Sequence, residues 1–324
     1  MYNVKIENTG RYVPDNIVTN EDISKIVDTN DKWIRERTGI KERRISQGEN
    51  TSHMAIKSAK DVLRKSSIKA DELDLIIVAT CTPDCFVPST ACIVQDAIGA
   101  TKATCFDISA ACTGFMYALS VASQFIKSGQ SKNALVIGAE TLSKMINWED
   151  RGTCVLFADG AGAAILTRSK EVGLISQYTC SDGTGGKFLK CDALPVENPY
   201  VSEKNEFLDK LSMEGREVFK FAVNAMIDSV HKVLEKTDYT IEDIDYIVPH
   251  QANIRIIEYV AKKLKVSQDK FYINLHRYGN TSGASIPIAL DEMNEKNMLK
   301  KGDKIILVGF GGGLTFGAHL IQWN

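Results

Sequence analysis

Apolar residues in this chain gather in short unbroken runs, separated by stretches with helical spacing. Leu73–Ala79 (LDLIIVA) is an apolar run flanked by acidic residues and reads as a buried strand. Ala103–Ile108 (ATCFDI) and Ala134–Gly138 (ALVIG) read the same way. Between them, Thr113–Lys127 repeats apolar residues at helical spacing, and Ser128–Gly129 is its stop signal. Strands that alternate with helices predict an α/β fold with buried sheets.

The second half of the chain echoes the first. Asp71–Ala79 (DELDLIIVA) resembles Glu242–Pro249 (EDIDYIVP), and Ser131–Gly138 (SKNALVIG) resembles Lys301–Gly309 (KGDKIILVG). Within each half, a pair of similar strands brackets a helical stretch and a Gly- or Ser-rich turn. The period is far too long for a solenoid. It predicts two duplicated α/β halves packed together. Ser181–Met213, rich in Gly, Pro and charge, breaks the regularity and reads as a long surface excursion, a kind of segment that is often functional.

Composition narrows the class. The 324 residues are 44% hydrophobic and 25% charged, enough for a large core and for more than one domain-sized unit. A formal net charge of −2 gives no sign of a nucleic-acid binder. The first residues, MYNVKIENTGRYVPDN, lack a basic segment followed by an apolar one, so no secretory signal is expected. No run approaches the roughly 18 apolar residues of a membrane span. The expected location is the cytoplasm, without a membrane partner.

Eight cysteines stand at 81, 85, 92, 105, 112, 154, 180 and 191. With no signal peptide they read as reduced thiols, mostly small buried hydrophobes. No C-x-x-C pair occurs, and Cys81 and Cys85 have no matching second pair at zinc-ligand spacing, so no metal is expected. Cys112 calls for a different account. In Phe106–Phe115 (FDISAACTGF) a strand ends, small residues follow and a helix begins near the cysteine. Unpaired N–H groups and the positive end of the dipole would favour thiolate there. From this segment alone, a nucleophile and a packing cysteine at a strand–helix turn stand about even.

Six segments change that balance. DISAACTGF is similar to the active-site segment of ketoacyl-ACP synthase III enzymes of the thiolase superfamily. Pro249–Ile254 (PHQANI) and Tyr278–Pro287 (YGNTSGASIP) resemble the family's other catalytic motifs, and Phe310–Gly317 (FGGGLTFG) its C-terminal glycine loop. Asp31–Ile40 (DKWIRERTGI) and Asp150–Ala164 (DRGTCVLFADGAGAA) match as well, all in the family's order. The resemblance implies a thiolase-like fold, in which two duplicated halves form a layered αβαβα architecture. A division into 1–170, with the nucleophilic cysteine, and 171–324, with histidine and asparagine, is expected.

It also implies a reaction. An acyl-CoA primer acylates Cys112; malonyl-ACP then loses carbon dioxide and its carbanion attacks the acyl group, initiating fatty acid biosynthesis. His250 and Asn280 complete the triad. Standing alone, His250 would read as a structural histidine and Asn280 as ordinary turn chemistry. A histidine Nε2–H and an asparagine amide are neutral donors suited to an enolate oxygen. The resemblance assigns the tetrahedral oxyanion to the backbone N–H groups of Cys112 and Gly312, and puts Phe310 near the departing carboxylate. It places the adenine of coenzyme A between Trp33 and Arg151, a phosphate contact at Arg37, and the pantetheine near Gly152 and Asn253. An amphipathic surface helix with a snorkelling arginine competes for Trp33 and Arg37. Lys220, Arg255, Lys262 and Lys263 match positions proposed to meet the acyl carrier protein, although a run such as Lys262–Lys263 also reads as a solvated face. A homodimer is expected, and no cofactor beyond the coenzyme A thioester substrate.

Two features depart from the family pattern. Many relatives have Phe-Pro where this chain has Phe86-Val87-Pro88-Ser89. In the family that Phe reaches the partner subunit's acyl pocket, so Val87 would leave more room. His276, four residues before Asn280, must also be weighed because elongating synthases use two histidines; its setting in NLHRYGN favours a bystander. The run of Gly309, Gly311, Gly312 and Gly313 resembles a dinucleotide fingerprint, but Leu314 stands at the third glycine and no βαβ unit follows. Gly160 and Gly162 give an equally weak hint. Thiolases with a second cysteine near the C-terminal loop are disfavoured, since none follows Cys191. An acyl-thioester hydrolase, a condensing enzyme of secondary metabolism and an inactive scaffold are the remaining alternatives. No G-x-S-x-G elbow supports the separate α/β-hydrolase family, and the intact Cys, His and Asn speak against a scaffold.

Overall fold

A computed structural model of the chain describes residues 2–201 and 207–324. The N-terminal half forms strands β1 (Asn3–Tyr12), β2 (Ile17–Thr19), β3 (Glu42–Arg44), β4 (Leu75–Ala79), β5 (Thr104–Ile108), β6 (Asn133–Thr141) and β7 (Asp159–Ser169). Its helices are α1 (Asn20–Ile23), α2 (Asp31–Thr38), α3 (Thr51–Lys65), α4 (Thr90–Ile98) and α5 (Gly114–Ser128). The C-terminal half contributes β8 (Leu174–Ser181), β9 (Leu189–Lys190), β10 (Ser212–Met213), β11 (Tyr246–Pro249), β12 (Lys304–Gly311) and β13 (Thr315–Gln322). With them come α6 (Gly215–Leu234), α7 (Ile254–Leu264), α8 (Leu275–Tyr278) and α9 (Ser285–Glu295).

The duplication read from the sequence is present in the topology. One sheet runs β1-β7-β6-β4-β5 and the other β8-β13-β12-β11. In the first, β4 is parallel to β6, β6 antiparallel to β7, and β7 antiparallel to β1. In the second, β11 is parallel to β12, β12 antiparallel to β13, and β13 antiparallel to β8. Even β5 has a trace of a counterpart, a parallel bridge from Ile247 to Phe271 beside β11.

Both faces of each sheet are covered, which is why the strands read as unbroken apolar runs. Along β4, Ile76 and Val78 face α3 and α4, while Leu75, Ile77 and Ala79 face α5. Helices α5 and α9 lie between the two sheets, packed on Leu75 and Val136 of one and on Ile305 and Leu307 of the other. Helices α6 and α7 cover the far face of the second sheet through Val230 and Val260. The result is five layers: helices, sheet, helices, sheet, helices.

Three expectations need correction. The run 103–108 is not a buried strand: β5 is the last strand of its sheet, and its residues are exposed or half-buried. A continuous apolar run marks a sheet edge as readily as a core strand. The run 134–138 continues to Thr141 and so takes Glu140 into the sheet. Helix α5 starts at Gly114, after a 3₁₀ turn over Ala111–Thr113, and stops at Gly129, whose φ of 88° suits glycine. The 181–213 excursion is mostly irregular and exposed, and the stretch at 202–206 lies outside the described residues. No helix among the described residues is long and apolar enough to cross a membrane.

Candidate active site

Cys112 stands where β5 has ended and α5 has not yet begun, in the turn Ala111–Thr113. Ala111 enters that turn at φ 45°, unusual for a residue with a Cβ. Two glycines make the placement possible. A Cβ on Gly114 would stand 2.9 Å from the Ala79 side chain, and one on Gly311 would stand 2.7 Å from the Cys112 backbone nitrogen. The start of the glycine loop is thus pressed directly against the main chain of Cys112.

The thiol is buried. Burial is the largest influence on its pKa, which stands at about 12 against 9.0 ordinarily; the charge of Glu140 acts in the same direction, and the Ser282 hydroxyl and the cysteine's own N–H act the other way. The helix terminus, which favours thiolate, is worth about 0.3–2 kcal/mol.

His250 follows the last residue of β11 and is 1% exposed. Its Nδ1 lies 2.7 Å from the Ser285 hydroxyl at the start of α9, and its Nε2 has no hydrogen-bond partner among the described residues. Burial depresses its pKa from 6.5 to about 3, so the ring is neutral. Asn280 is fixed through its main chain: its N–H donates to Leu156 O, and its C=O accepts from Ala158 N, both at 2.9 Å. The Ser282 N–H donates to Asn280 Oδ1 at 2.9 Å, which leaves the amide NH₂ as the free end.

Cys112, His250, Asn280 and Phe310 line one cavity of about 130 Å³, whose walls include Leu156, Phe157, Met213, Phe219 and Ile256. The Phe310 ring meets the His250 ring edge-on at 5.4 Å. A second cavity of about 480 Å³ opens on the other side of Cys112, lined by Cys81, Leu142, Met145, Cys191, Leu211, Ser282 and Gly312 among others. Leu189 borders both cavities, so the long excursion does contribute to the site. His276 lines neither.

Trp33, Arg37, Arg151 and Asn253 also come together. Asn253 caps α7 and donates to Arg37 O at 3.0 Å, tying α7 to the end of α2. The Arg151 and Arg37 guanidiniums lie 4.8 and 5.6 Å from the centre of the Trp33 ring. Arg151 also donates to Asp28 O at 2.9 Å. Gly152 is in the adjoining turn, its N–H on Asp150 Oδ1.

Lys220 on α6 and Arg255, Lys262 and Lys263 on α7 are exposed on one outer face, where the Phe219 and Tyr259 rings join the two helices. Arg255 is partly engaged, donating through Nε to Glu36 O. Val87 lines neither of these two cavities; it is 85% exposed and Phe86 70%.

The sequence reading missed Glu140, and gave no individual role to Ser282, Ser285 or Gly311 within the motifs that contain them. Glu140 left one signal, a carboxylate at the end of an otherwise apolar strand. The acidic group Asp61, Asp291 and Glu295 has the spacing of a metal site, but Arg11 and Lys65 pair with those carboxylates.

Comparison with known proteins agrees with this geometry. Residues 106–183 match the family model described as 3-Oxoacyl-[acyl-carrier-protein (ACP)] synthase III, and 234–323 match that of its C-terminal region. The chain is 98% identical over 324 residues to a Beta-ketoacyl-[acyl-carrier-protein] synthase III of Clostridium novyi (strain NT), covering all of both chains. It is 62% identical to the protein of that name from Clostridium acetobutylicum, again over the full length of each. The crystal structure of 3-oxoacyl-[acyl-carrier-protein] synthase III from Aquifex aeolicus VF5 superposes with a TM-score of 0.93 at 47% identity, covering 99% of this chain and 100% of that one.

Proposed function

This chain belongs to the 3-oxoacyl-[acyl-carrier-protein] synthase III family and condenses an acyl-CoA primer with malonyl-ACP to a 3-oxoacyl-ACP in fatty acid biosynthesis; we propose that Cys112, His250 and Asn280 carry the chemistry. The observation that supports this assignment is the shared cavity, where a nucleophile meets two neutral donors. Cys112 attacks the primer thioester, forming an acyl-cysteine and releasing coenzyme A. Malonyl-ACP then enters and loses carbon dioxide. The enolate oxygen so formed takes hydrogen bonds from His250 Nε2 and the Asn280 amide. Assigning the Ser285 hydroxyl as donor to His250 Nδ1 puts the ring proton on Nε2, where this role needs it. The enolate carbon attacks the acyl-cysteine, and the tetrahedral oxyanion is held by the N–H groups of Cys112 and Gly312. Phe310 packs beside the departing carboxylate and keeps water from its charge.

The two cavities divide the substrate. The narrower one admits the pantetheine arm past Asn253, and the larger one receives the acyl chain. Adenine between Trp33 and Arg151 needs about 7 Å between the flanking faces, twice a van der Waals contact. The 4.8 Å stack must therefore open, with Arg151 leaving Asp28. Arg37 meets a phosphate, and the Gly152 turn lies near the pantetheine. Lys220, Arg255, Lys262 and Lys263 form the basic face for the acidic carrier protein.

A homodimer completes the site. The outer edge of β5 and the exposed Phe86–Val87 pair are the surfaces that support it. The reaction uses no cofactor beyond its thioester substrates, and a cytoplasmic location fits them. A division near residue 170 would give Cys112 to one half and His250 and Asn280 to the other. The test is to incubate the protein with acyl-CoA and map the acyl group by peptide mass, then add malonyl-ACP and follow carbon dioxide. Acyl on the Cys112 peptide and carbon dioxide release are expected; acyl on another cysteine would overturn the role of Cys112.

A further inference from the structure

The proposed oxyanion donors stand on two separate turns. The Cys112 N–H belongs to the turn before α5, and the Gly312 N–H to the loop between β12 and β13. Both must reach one oxygen, so the placement of one turn against the other matters to the rate. Gly311, Gly312 and Gly313 give the second turn three successive residues with no side chain to hold the backbone. The close contact of Gly311 with the Cys112 main chain limits how near the turns come. It leaves them able to slide past one another.

Two hydroxyls bridge the turns. Thr113, the residue after the nucleophile, is 0% exposed, and its Oγ1 lies 2.8 Å from Thr315 Oγ1. Thr315 Oγ1 in turn lies 3.1 Å from Gly312 O and 3.2 Å from Ala110 O. Thr113 Oγ1 is also 2.8 Å from Ala110 O, but that oxygen already accepts the Thr113 N–H at 3.1 Å. Two hydroxyl oxygens 2.8 Å apart need a proton between them. With Thr113 as that donor, the Thr315 proton is free for Gly312 O, and each hydroxyl gives its one proton. The bridge is anchored beside both donors: Thr113 directly follows Cys112, and Gly312 itself carries the second N–H. Cys112, Gly312 and Thr315 all line the larger cavity.

We propose that the hydrogen bond from Thr113 to Thr315 is a strap that fixes the oxyanion hole, with both threonines as positioning residues for acyl transfer. The strap sets how the Cys112 and Gly312 N–H groups converge when a thioester carbonyl becomes an oxyanion. Its effect belongs to the steps with a tetrahedral intermediate, acylation and condensation. Decarboxylation does not call on it, since the enolate oxygen is served by His250 and Asn280.

The strap rests on the reading of Cys112 as nucleophile, and the experiment separates the two. Peptide mapping of the parental protein after incubation with acetyl-CoA comes first. Acetyl on another cysteine overturns both claims; with acetyl on Cys112, only the strap is at stake. Thr113→Val and Thr315→Val keep the shape and each remove one hydroxyl. Rapid-quench acylation at saturating acetyl-CoA should slow by about 3–10-fold in each, the scale of one net hydrogen bond. That is well below the roughly 10²–10³ of an oxyanion donor lost outright. The double variant should be no slower than either single one, because all three lack the same bond. The acetyl-CoA concentration that gives half the maximal rate should not move. Decarboxylation of malonyl-ACP, measured in a Cys112→Ala background, should not change. Thr113→Ser and Thr315→Ser, which keep the hydroxyl, should acylate close to the parental rate. Thr315 is half-buried, so Thr315→Val against Thr315→Ser decides the matter if Thr113→Val does not fold. Parental acylation by either single valine variant overturns the strap. Losses that multiply in the double variant overturn it as well, since the two residues would then act separately. A change confined to the half-maximal concentration would make Thr315 a cavity wall, and an equal loss in decarboxylation would make the pair scaffolding; either result also overturns it.

Discussion

The Ser282 backbone N–H holds Asn280 Oδ1 at 2.9 Å, and this bond decides which end of the amide faces the cavity. The acceptor end is engaged, and the donor end is left for the enolate oxygen of the proposed reaction. Asn280→Ala should therefore acylate Cys112 nearly normally yet decarboxylate malonyl-ACP about 10²–10³ times more slowly. Asn280→Asp should do no better, because a carboxylate can satisfy Ser282 but has no proton to offer the oxyanion. Carbon dioxide release by either variant at the parental rate would reject the role.

His250 offers a pH test. Burial puts its folded pKa near 3, against 6.5 ordinarily. Its charge state in the folded site is therefore constant across neutral and mildly acidic pH, and decarboxylation should show no inflection near 6.5. Stability should respond instead. The unfolded chain binds the His250 proton first, so this residue's contribution is complete above 6.5 and is lost as pH falls from there towards 3. His319, also buried and depressed to about 3, acts with the same sign. Urea titrations at a series of pH values should show the midpoint falling over that window, and His319→Gln should flatten the slope.

The sequence made the five-layer architecture legible because both faces of each sheet are buried, so strands such as Leu75–Ala79 stood out from the amphipathic helices. The repeat between Asp71–Ala79 and Glu242–Pro249 was visible because β4 and β11 hold equivalent places in the two sheets. Cys112, His250 and Asn280 were legible through local motifs. Ser282 and Glu140 were not, because their relation exists only once a turn from the second half meets a strand end from the first. The burial of Cys112 was hidden for a similar reason: the helix start is local, whereas the burial is tertiary. The edge position of β5 could not be read from an apolar run alone.

Gly311 tests how tightly the C-terminal loop is fitted to the nucleophile. A Cβ there would lie 2.7 Å from the Cys112 nitrogen and 3.2 Å from that of Thr113, both main-chain atoms that cannot swing aside. Gly311→Ala should cost about 1–3 kcal/mol of stability through overpacking. It should also slow acylation, because the displaced Cys112 N–H is a proposed oxyanion donor. A variant with parental stability and parental acylation would show that the loop tolerates the shift. Gly183 is a useful control, since a Cβ there would meet nothing within 4 Å.

In the proposed dimer, primer choice would depend on a residue that lies outside the two cavities beside Cys112 of its own chain. Val87 is 85% exposed and Phe86 70%, so neither can shape the pocket beside Cys112 of the same chain. In the proposed dimer one of them enters the partner's larger cavity. Val87 there would leave more room than the phenylalanine common in relatives. Pocket walls discriminate weakly, with one methylene worth about 1–3 kcal/mol. The expected result is tolerance of primers longer than acetyl, with acetyl retained. Val87→Phe should then lower kcat/KM for longer or branched acyl-CoA while sparing acetyl-CoA. If Phe86 is the inserted residue, Val87→Phe will leave the primer profile unchanged and Phe86→Ala will broaden it, and the assignment of Val87 must be abandoned. Sedimentation of both variants belongs to the same experiment, because a substitution that dissociates the dimer would depress every primer equally instead of reordering them.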